Sequence, residues 1–306
     1  MYDLLIIGAG PAGMTAAVYA ARKKIRTLLL SENVGGQVLW TFGIENYMGY
    51  QFIEGSELME KFEDQVRRSP SDVDWKIGVK VQQVRRVEGG FEVQTEKGES
   101  YQGKTLLVST GKRPRQLQVP GEEELVGRGV SYCATCDGPL FTGERVAVIG
   151  GGNSALGAAE EMAKIAEHVY VVSLTELTGD QVLIDKVTGA HNVTVLTRHE
   201  VTDVIGQGRV EEIGIRDVGS KEEKRLEVAG VLVEIGLTPN SEVVKDLASL
   251  NELGEVEVSC SNETDTPGLF AAGDVTNVPE KQIVIAAGEG AKATLRAHRY
   301  LQRLRS

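Results

Sequence analysis

Two glycine-rich turns, each set between an apolar strand-like run and a small-residue helix-like run, constrain this chain more than any other feature. The first, Gly8-Ala9-Gly10-Pro11-Ala12-Gly13, follows Tyr2-Asp3-Leu4-Leu5-Ile6-Ile7 and leads, through a small-residue run, to Thr27-Leu28-Leu29-Leu30. The second, Gly150-Gly151-Gly152-Asn153-Ser154-Ala155, follows Arg145-Val146-Ala147-Val148-Ile149 and leads to His168-Val169-Tyr170-Val171-Val172. Glycines at this spacing let the backbone approach a pyrophosphate, and the helix behind presents its positive end to it. Alone such a turn is weak; with a strand before and a helix behind, it marks a nucleotide-binding βαβ unit. The two turns lie about 140 residues apart in a chain of 306, which has room for two domains. The expected fold class is α/β, with two Rossmann-like, three-layer dinucleotide-binding domains, the second inserted in the first. Residues 1–113 and 245–306 are assigned to the first domain and 114–244 to the second. The basic connection Lys112-Arg113-Pro114-Arg115 marks the crossing into the insert, and Gly236-Leu237-Thr238-Pro239-Asn240 closes it.

The first unit carries further polar groups at places where a dinucleotide would need them. Ser31 and Glu32 follow the second strand, and Glu32, nineteen residues after Gly13, can accept hydrogen bonds from an adenosine ribose. Gly36, Gln37 and Asn46 sit in a loop-like, glycine-led stretch and can serve a ring system. Residues Trp75 to Val108 read as short alternating strands of an antiparallel layer. Within it, Val81 either touches an adenine through its backbone or packs in the core. The buried run Leu106-Leu107-Val108 ends in Ser109-Thr110-Gly111, a second glycine turn on the same ligand. Near the end of the chain, Phe270-Ala271-Ala272 delivers Gly273-Asp274, placed to hydrogen-bond a polyol chain. Lys281-Gln282-Ile283 and Gly288-Glu289-Gly290 open a last helix whose positive end favours negative charge on a flavin ring. A Gly-Asp pair after a strand is by itself a simple turn. The agreement of all these pieces points to a flavin dinucleotide.

Between the two units lies Ser131-Tyr132-Cys133-Ala134-Thr135-Cys136-Asp137-Gly138. A cysteine pair two residues apart at the start of a helix is placed for reactivity, because free amides there stabilise the thiolate that attacks or leaves in exchange. Asp137 can carry a proton to or from a departing thiolate. Half of a zinc site and a purely structural disulfide are the competing readings. Zinc needs four ligands, whereas the remaining cysteine is the lone Cys260, and His168, His191, His199 and His298 show no paired spacing; no metal is expected. Cys260 itself, in Val258-Ser259-Cys260-Ser261, reads as a buried or inert thiol at a strand end.

A net charge of −11 argues against general nucleic-acid binding. Local basic stretches exist: Arg22-Lys23-Lys24-Ile25-Arg26, and six Lys or Arg against one Glu from Lys281 to Ser306. They read as a solvated face or as a dock for an acidic partner. No apolar run reaches membrane-spanning length, and three cysteines suit a reducing compartment, so a cytoplasmic location is expected.

The nicotinamide end is less complete. Gly150, Gly152, Asn153, Ser154 and Ala155 can hold a dinucleotide, yet no basic residue occurs from Val169 to Ile184 to take a 2′-phosphate. The strand tip is Ser173, with Glu176 three positions on. NADPH is therefore disfavoured and NADH is left open.

Taken with the motifs above, the chain resembles the low-molecular-weight thioredoxin reductases along essentially its whole length. Asp180-Gln181-Val182-Leu183 and the run from Lys281 to Ala293 are similar to the flavoprotein subunit of alkyl hydroperoxide reductase. The resemblance implies FAD, a redox disulfide between Cys133 and Cys136, and a homodimer. It implies that Cys136 is the thiol nearest the flavin, Cys133 the interchange thiol and Asp137 the proton donor. It implies that the central domain rotates, presenting the cysteines to flavin in one orientation and exposing them in the other. The peroxide-system relative carries thioredoxin-like domains before its flavin core, so the acceptor expected here is a separate thioredoxin or thioredoxin-like protein. NADPH-dependent relatives carry His-Arg-Arg and a further Arg where this chain has Ser173-Leu174-Thr175 and Gly179; some relatives without those arginines draw on ferredoxin. The expected function is thus an FAD-dependent thioredoxin-disulfide reductase with NADH, ferredoxin or another donor. Its rivals are an NADH-dependent peroxiredoxin reductase flavoprotein and, from another class, a flavin-bound redox sensor without turnover.

Overall fold

The strand Tyr2–Ala9 is buried on both faces, which is why its sequence is a continuous apolar run rather than an alternating one. Leu4 and Ile6 enter one hydrophobic cluster and Leu5 and Ile7 another, on opposite sides of the sheet. The computed structural model describes residues 1–41, 43–68 and 73–305, so Ser306 at the end of the basic run lies outside the described residues.

Among the described residues, seven strands form the first sheet. Its parallel part runs Val73–Ile77, Thr27–Val34, Tyr2–Ala9, Ser100–Val108 and Leu269–Ala271. The long strand Ser100–Val108 is forked. Its last residues pair with Leu269–Ala271, while its first pair antiparallel with Gly90–Thr95, which in turn pairs with Val81–Val87. The antiparallel layer expected from Trp75 onward is therefore smaller than its sequence suggests. The stretch around Trp75 joins the parallel sheet, because Thr27–Val34 offers it an open parallel edge.

Helices α1 (Pro11–Arg22), α2 (Gly55–Arg67), α3 (Ala134–Asp137), α4 (Asn153–Ala163), α5 (Gln181–Gly189) and α6 (Ile283–Arg305) follow in chain order. α1 and α6 cover one face of the first sheet and pack closely on each other. A Cβ on Gly290 would stand 2.0 Å from the Ala12 carbonyl oxygen, so the bare backbone of α6 is what admits α1. Gly288-Glu289-Gly290 accordingly lies inside α6, and the helix opens at Ile283.

The second sheet is all parallel, in the order Val130–Ser131, Gly230–Val233, Arg145–Ile149, His168–Ser173, Val193–Thr197. It repeats the first in its burial. Val146 and Val148 face one cluster, with α4 and α5, and Ala147 and Ile149 the other, with the antiparallel strands His199–Ile205, Glu212–Asp217 and Glu223–Glu227. The chain enters this second unit along Lys112–Pro114 and leaves along Leu237–Pro239, and those two segments pair antiparallel. The architecture is two dinucleotide-binding domains, the second inserted in the first. No helix among the described residues is long and apolar enough to cross a membrane.

Candidate active site: a redox disulfide on a dinucleotide cavity

The first glycine turn is shaped by two contacts that only glycine permits. Gly8 has φ +104°, and a Cβ there would meet the Ser109 carbonyl oxygen at 2.4 Å; a Cβ on Gly13 would meet the Gly8 carbonyl oxygen at 1.8 Å. Gly13 therefore does not line the cavity as expected from the motif; it lets α1 sit down on the strand. Gly10 faces open space, Pro11 occupies the first helical position, and no side chain caps the start of α1. The free amides of that helix end are left for a ligand. Ser31 Oγ accepts from the Ala9 amide at 3.1 Å and donates to the Asn33 carbonyl at 2.6 Å, tying the tip of the second strand to the turn.

A cavity of about 860 Å³ opens here. Gly8, Gly10, Pro11, Ala12, Ser31 and Glu32 line it, as do Gly36, Gln37, Asn46 and Val81. Thr110, Gly111, Gly273, Asp274, Lys281, Gln282 and Ile283 complete the residues that the sequence brought forward. Gly36 lies in a short 3-10 helix, Gly36–Trp40, rather than in a plain loop. Gln37 Nε2 donates to Asp274 Oδ2 at 3.2 Å, and Asn46 Nδ2 to Gln282 Oε1 at 3.1 Å, each joining segments more than 230 positions apart. Volume, uncapped helix end and paired polar side chains together fit a flavin dinucleotide.

Beneath Asp274 is a charged group of which only Lys281 had a sequence signature. Lys112 and Glu255 are both buried and in contact at 2.6 Å; Lys281 reaches the same carboxylate at 3.2 Å and donates to the Thr276 carbonyl at 2.6 Å. Burial raises the Glu255 carboxyl, but hydrogen bonds from Lys112 and Asn251 outweigh it and hold it below the usual range. Burial pushes the Lys281 ammonium down, assisted by Lys112, while Glu255 opposes. Burial pushes Asp274 up against the two lysines. Glu289, set inside α6, accepts from the Gly273 amide at 2.7 Å and fixes the Gly-Asp turn from behind.

The cysteine pair lines the same cavity. The edge strand Val130–Ser131 brings it to the carboxyl end of the second sheet, and Cys133 and Cys136 are disulfide-bonded with Cα atoms 5.3 Å apart. Cys133 is extended at φ −144°, and its carbonyl accepts from the Cys136 and Asp137 amides at 3.1 and 3.0 Å. The helix so begun is a single turn, α3, that tightens into a 3-10 turn over Gly138–Phe141. Its first amide is also spoken for, because Ala134 N donates to Glu234 Oε1 at 3.2 Å. The thiolate-stabilising helix end expected from the spacing is thus shorter and less open than its sequence implied. Asp137 is only 4% exposed; Ser131 Oγ donates to its Oδ2, and its Oδ1 has no hydrogen-bond partner. Burial pushes its carboxyl up to about 6, against that hydrogen bond.

The second glycine turn does not reach this cavity. Gly150 has φ +139°, and a Cβ there would meet the Glu234 carbonyl oxygen at 2.4 Å. The segment after His168–Ser173 folds back over the turn. Thr178 N donates to Gly151 O at 2.8 Å, Asp180 N to Asn153 Oδ1 at 2.7 Å, and Asn153 Nδ2 to Asp180 Oδ2 at 3.2 Å. Ser154 is exposed at the start of α4 and Ala155 is buried under the turn. Cys260 proves to be exposed on a turn rather than buried at a strand end, because the chain around it forms no named strand.

The sequence pattern of the pyridine nucleotide-disulphide oxidoreductases matches residues 2–290. The chain belongs to that family. A thioredoxin reductase from Streptococcus pyogenes MGAS5005 superposes with a TM-score of 0.93 at 36% identity, covering 99% of each chain. A Lactococcus lactis thioredoxin reductase in its FR conformation is 32% identical over 99% of this chain and all of its own, yet superposes with a TM-score of only 0.68. An alkyl hydroperoxide reductase subunit from Pseudomonas aeruginosa is 46% identical over 305 residues, 99% of this chain but 58% of its own length. This chain therefore spans less than two thirds of that curated relative. The family is one of flavin-dependent disulfide oxidoreductases, whose cofactors are FAD and a pyridine nucleotide.

Sequence reasoning missed Ser131, Lys112, Glu255 and Glu234. Only Glu234 left a readable signal: an acid directly after the buried run Val231-Leu232-Val233, at the carboxyl end of a parallel sheet where α/β sites form.

Proposed function

We propose that this chain is a thioredoxin-type disulfide reductase whose electron donor is not NADPH. The observation that carries it is the Cys133–Cys136 disulfide on the wall of a cavity built for a flavin dinucleotide, with a buried, easily protonated Asp137 one residue on. In this reading residues 1–113 with 245–306 hold FAD, and 114–244 carry the redox pair. When bound, the flavin supplies the electron pair that opens the disulfide. Gly10, Pro11 and the start of α1 receive its pyrophosphate, Glu32 its adenosine ribose, and Asp274 with Gln37 its polyol chain. Cys136 is the sulfur toward the flavin and Cys133 the interchange sulfur.

The chemistry after reduction belongs to the chain's own residues. The Cys133 thiolate attacks one sulfur of the acceptor disulfide and the other sulfur leaves. The Cys136 thiolate then attacks Cys133 in the mixed disulfide, re-forming the internal bond and releasing the acceptor as a dithiol. Asp137, its carboxyl raised to about 6, takes up a proton far more readily than an exposed aspartate and can hand it to a departing thiolate. A thioredoxin-like protein is the acceptor and a homodimer the working form.

NADPH is disfavoured because Ser173, Leu174, Thr175 and Gly179 stand where a 2′-phosphate needs cations, and Glu176 and Asp180 add the wrong charge. NADH or reduced ferredoxin remains as donor. A second reading, an NADH-dependent flavoprotein reducing a peroxiredoxin system, is favoured by the 46% identity to the alkyl hydroperoxide reductase subunit. Anaerobic bleaching of the flavin band decides among these. Rapid bleaching by NADPH overturns the donor assignment, bleaching by NADH alone favours the peroxide system, and bleaching by ferredoxin alone makes the second glycine turn a structural relic.

A further inference from the structure

We propose that Glu234 is a positioning residue of the redox turn, acting through the Ala134 amide to set how readily the Cys133 thiol ionises. The proposal rests on reading Cys133 as the interchange thiol, and it adds a residue that the motif does not contain.

Glu234 is the first residue past Gly230–Val233, and its backbone is fixed on both sides. Its amide donates to the Ile149 carbonyl at 2.8 Å, and its own carbonyl packs against Gly150. From this anchored position the carboxylate accepts the Ala134 amide at 3.2 Å. That amide is the first of the redox turn, one residue after Cys133. A thiolate at a helix start is stabilised by amides not yet committed elsewhere. Glu234 commits one of them, and when ionised it sets a negative charge on the amide of the residue that follows Cys133.

Charged groups of both signs lie on the elements packed around it. From α4 comes Glu161, of like sign, to whose carboxylate Thr135 Oγ1 donates at 3.5 Å; the neighbouring Glu160 is taken by Lys164 and Lys186. From the redox turn comes Asp137, already bonded to Ser131. From the entering segment, Arg115 passes beside Gly236, its amide donating to the Gly236 carbonyl. Burial first, then Glu161, pushes the Glu234 carboxyl up to about 7, with the Ala134 amide opposing. Its charge therefore changes within the working range of a thiol. In this proposal an ionised Glu234 makes ionisation of the reduced Cys133 thiol harder, and the reverse holds equally.

The test needs neither donor nor acceptor. The holoprotein is reduced with dithiothreitol and desalted without oxygen. Iodoacetamide alkylation of Cys133 is then followed from pH 5.5 to 9.5 by mass spectrometry, with fragmentation separating Cys133 from Cys136. Glu234→Gln keeps an oxygen for the Ala134 amide and removes the charge. It should match the wild type near pH 5.5, where Glu234 is neutral, and alkylate about three- to tenfold faster above pH 7, a midpoint up to about one unit lower. Glu161→Gln lets Glu234 ionise at lower pH and should make Cys133 alkylation slower than wild type between about pH 6 and 7. Superimposable Glu234→Gln and wild-type profiles overturn the proposal, as does a change in thermal stability with no change in profile. A failed donor or acceptor assignment would leave these profiles unaffected, so the two readings fail separately.

Discussion

The Ser131 hydroxyl donates to the Asp137 carboxylate while accepting the Cys133 amide at 3.1 Å, so one side chain ties the proton-handling acid to the backbone of the redox pair. The hydrogen bond lowers the Asp137 carboxyl that burial raises. Ser131→Ala removes that opposition, and Asp137 then keeps its proton to higher pH. The alkaline limb of acceptor reduction should move up by about half to one pH unit, the equivalent of one ordinary hydrogen bond of about 1 kcal/mol. Steady-state rates with dithiothreitol-regenerated flavoprotein from pH 5 to 9 measure it; an unmoved limb removes Asp137 from the proton path.

The Lys112–Glu255 pair predicts a stability effect. Both partners are 8% exposed, and Lys112→Met leaves Glu255 buried with only Lys281 and Asn251 to balance it. Breaking one side of such a pair costs about 2–3 kcal/mol here, below the usual range for a fully orphaned charge because Lys281 stays. The double variant Lys112→Met/Glu255→Met should recover most of that loss, which a cycle of thermal or denaturant melts reads directly. The single variant should also retain less flavin, since Lys281 and Asp274 on the cavity wall lose their fixed neighbour.

What the residues announced and what they hid divide along physical lines. Gly8, Gly13, Gly150 and Gly273 were legible because backbone geometry admits nothing else there. The runs Leu4–Ile7 and Val146–Ile149 were legible because a strand buried on both faces must be apolar throughout. The cysteine pair was legible by spacing. Lys112 and Glu255 were not, and Glu234 only through its place at a strand end, since each gains its role from a partner 100 or more positions away. The parallel pairing of Val73–Ile77 was hidden for the same reason, because alternation names a strand and not its neighbour. Gly13 was read one step too far, as a ligand contact when it is a packing contact.

Stability should fall as pH rises through the range where the two raised carboxyls ionise. Asp137 goes from 3.8 to about 6 on folding and Glu234 from 4.5 to about 7, so the native state holds both protons more tightly than the unfolded chain. Their contribution is full below about pH 4 and is lost as pH passes through 6 to 7. In melts of the oxidised protein, Glu234→Gln should track the wild type at pH 5 and melt higher by pH 8. A gap of constant size across that range would remove Glu234 from the titration.

The tip of the strand His168–Ser173 predicts how donor preference can be changed, and by which positions. Leu174 is 62% exposed and Thr175 is exposed, so both accept long basic side chains without repacking. Gly179 does not, because a Cβ there would stand 2.5 Å from Leu156 Cδ1 and 2.8 Å from Asn153 Oδ1. Leu174→Arg/Thr175→Arg should therefore tighten NADPH binding by about ten- to a hundredfold, the worth of one to two charge-assisted contacts to a 2′-phosphate. Gly179→Arg should gain nothing and should break the Asn153–Asp180 clasp over the second glycine turn. Equilibrium titration with NADPH and NADH on all three proteins reads both outcomes. If the double arginine variant binds neither nucleotide, the second turn holds no dinucleotide, and the electrons enter directly at the flavin.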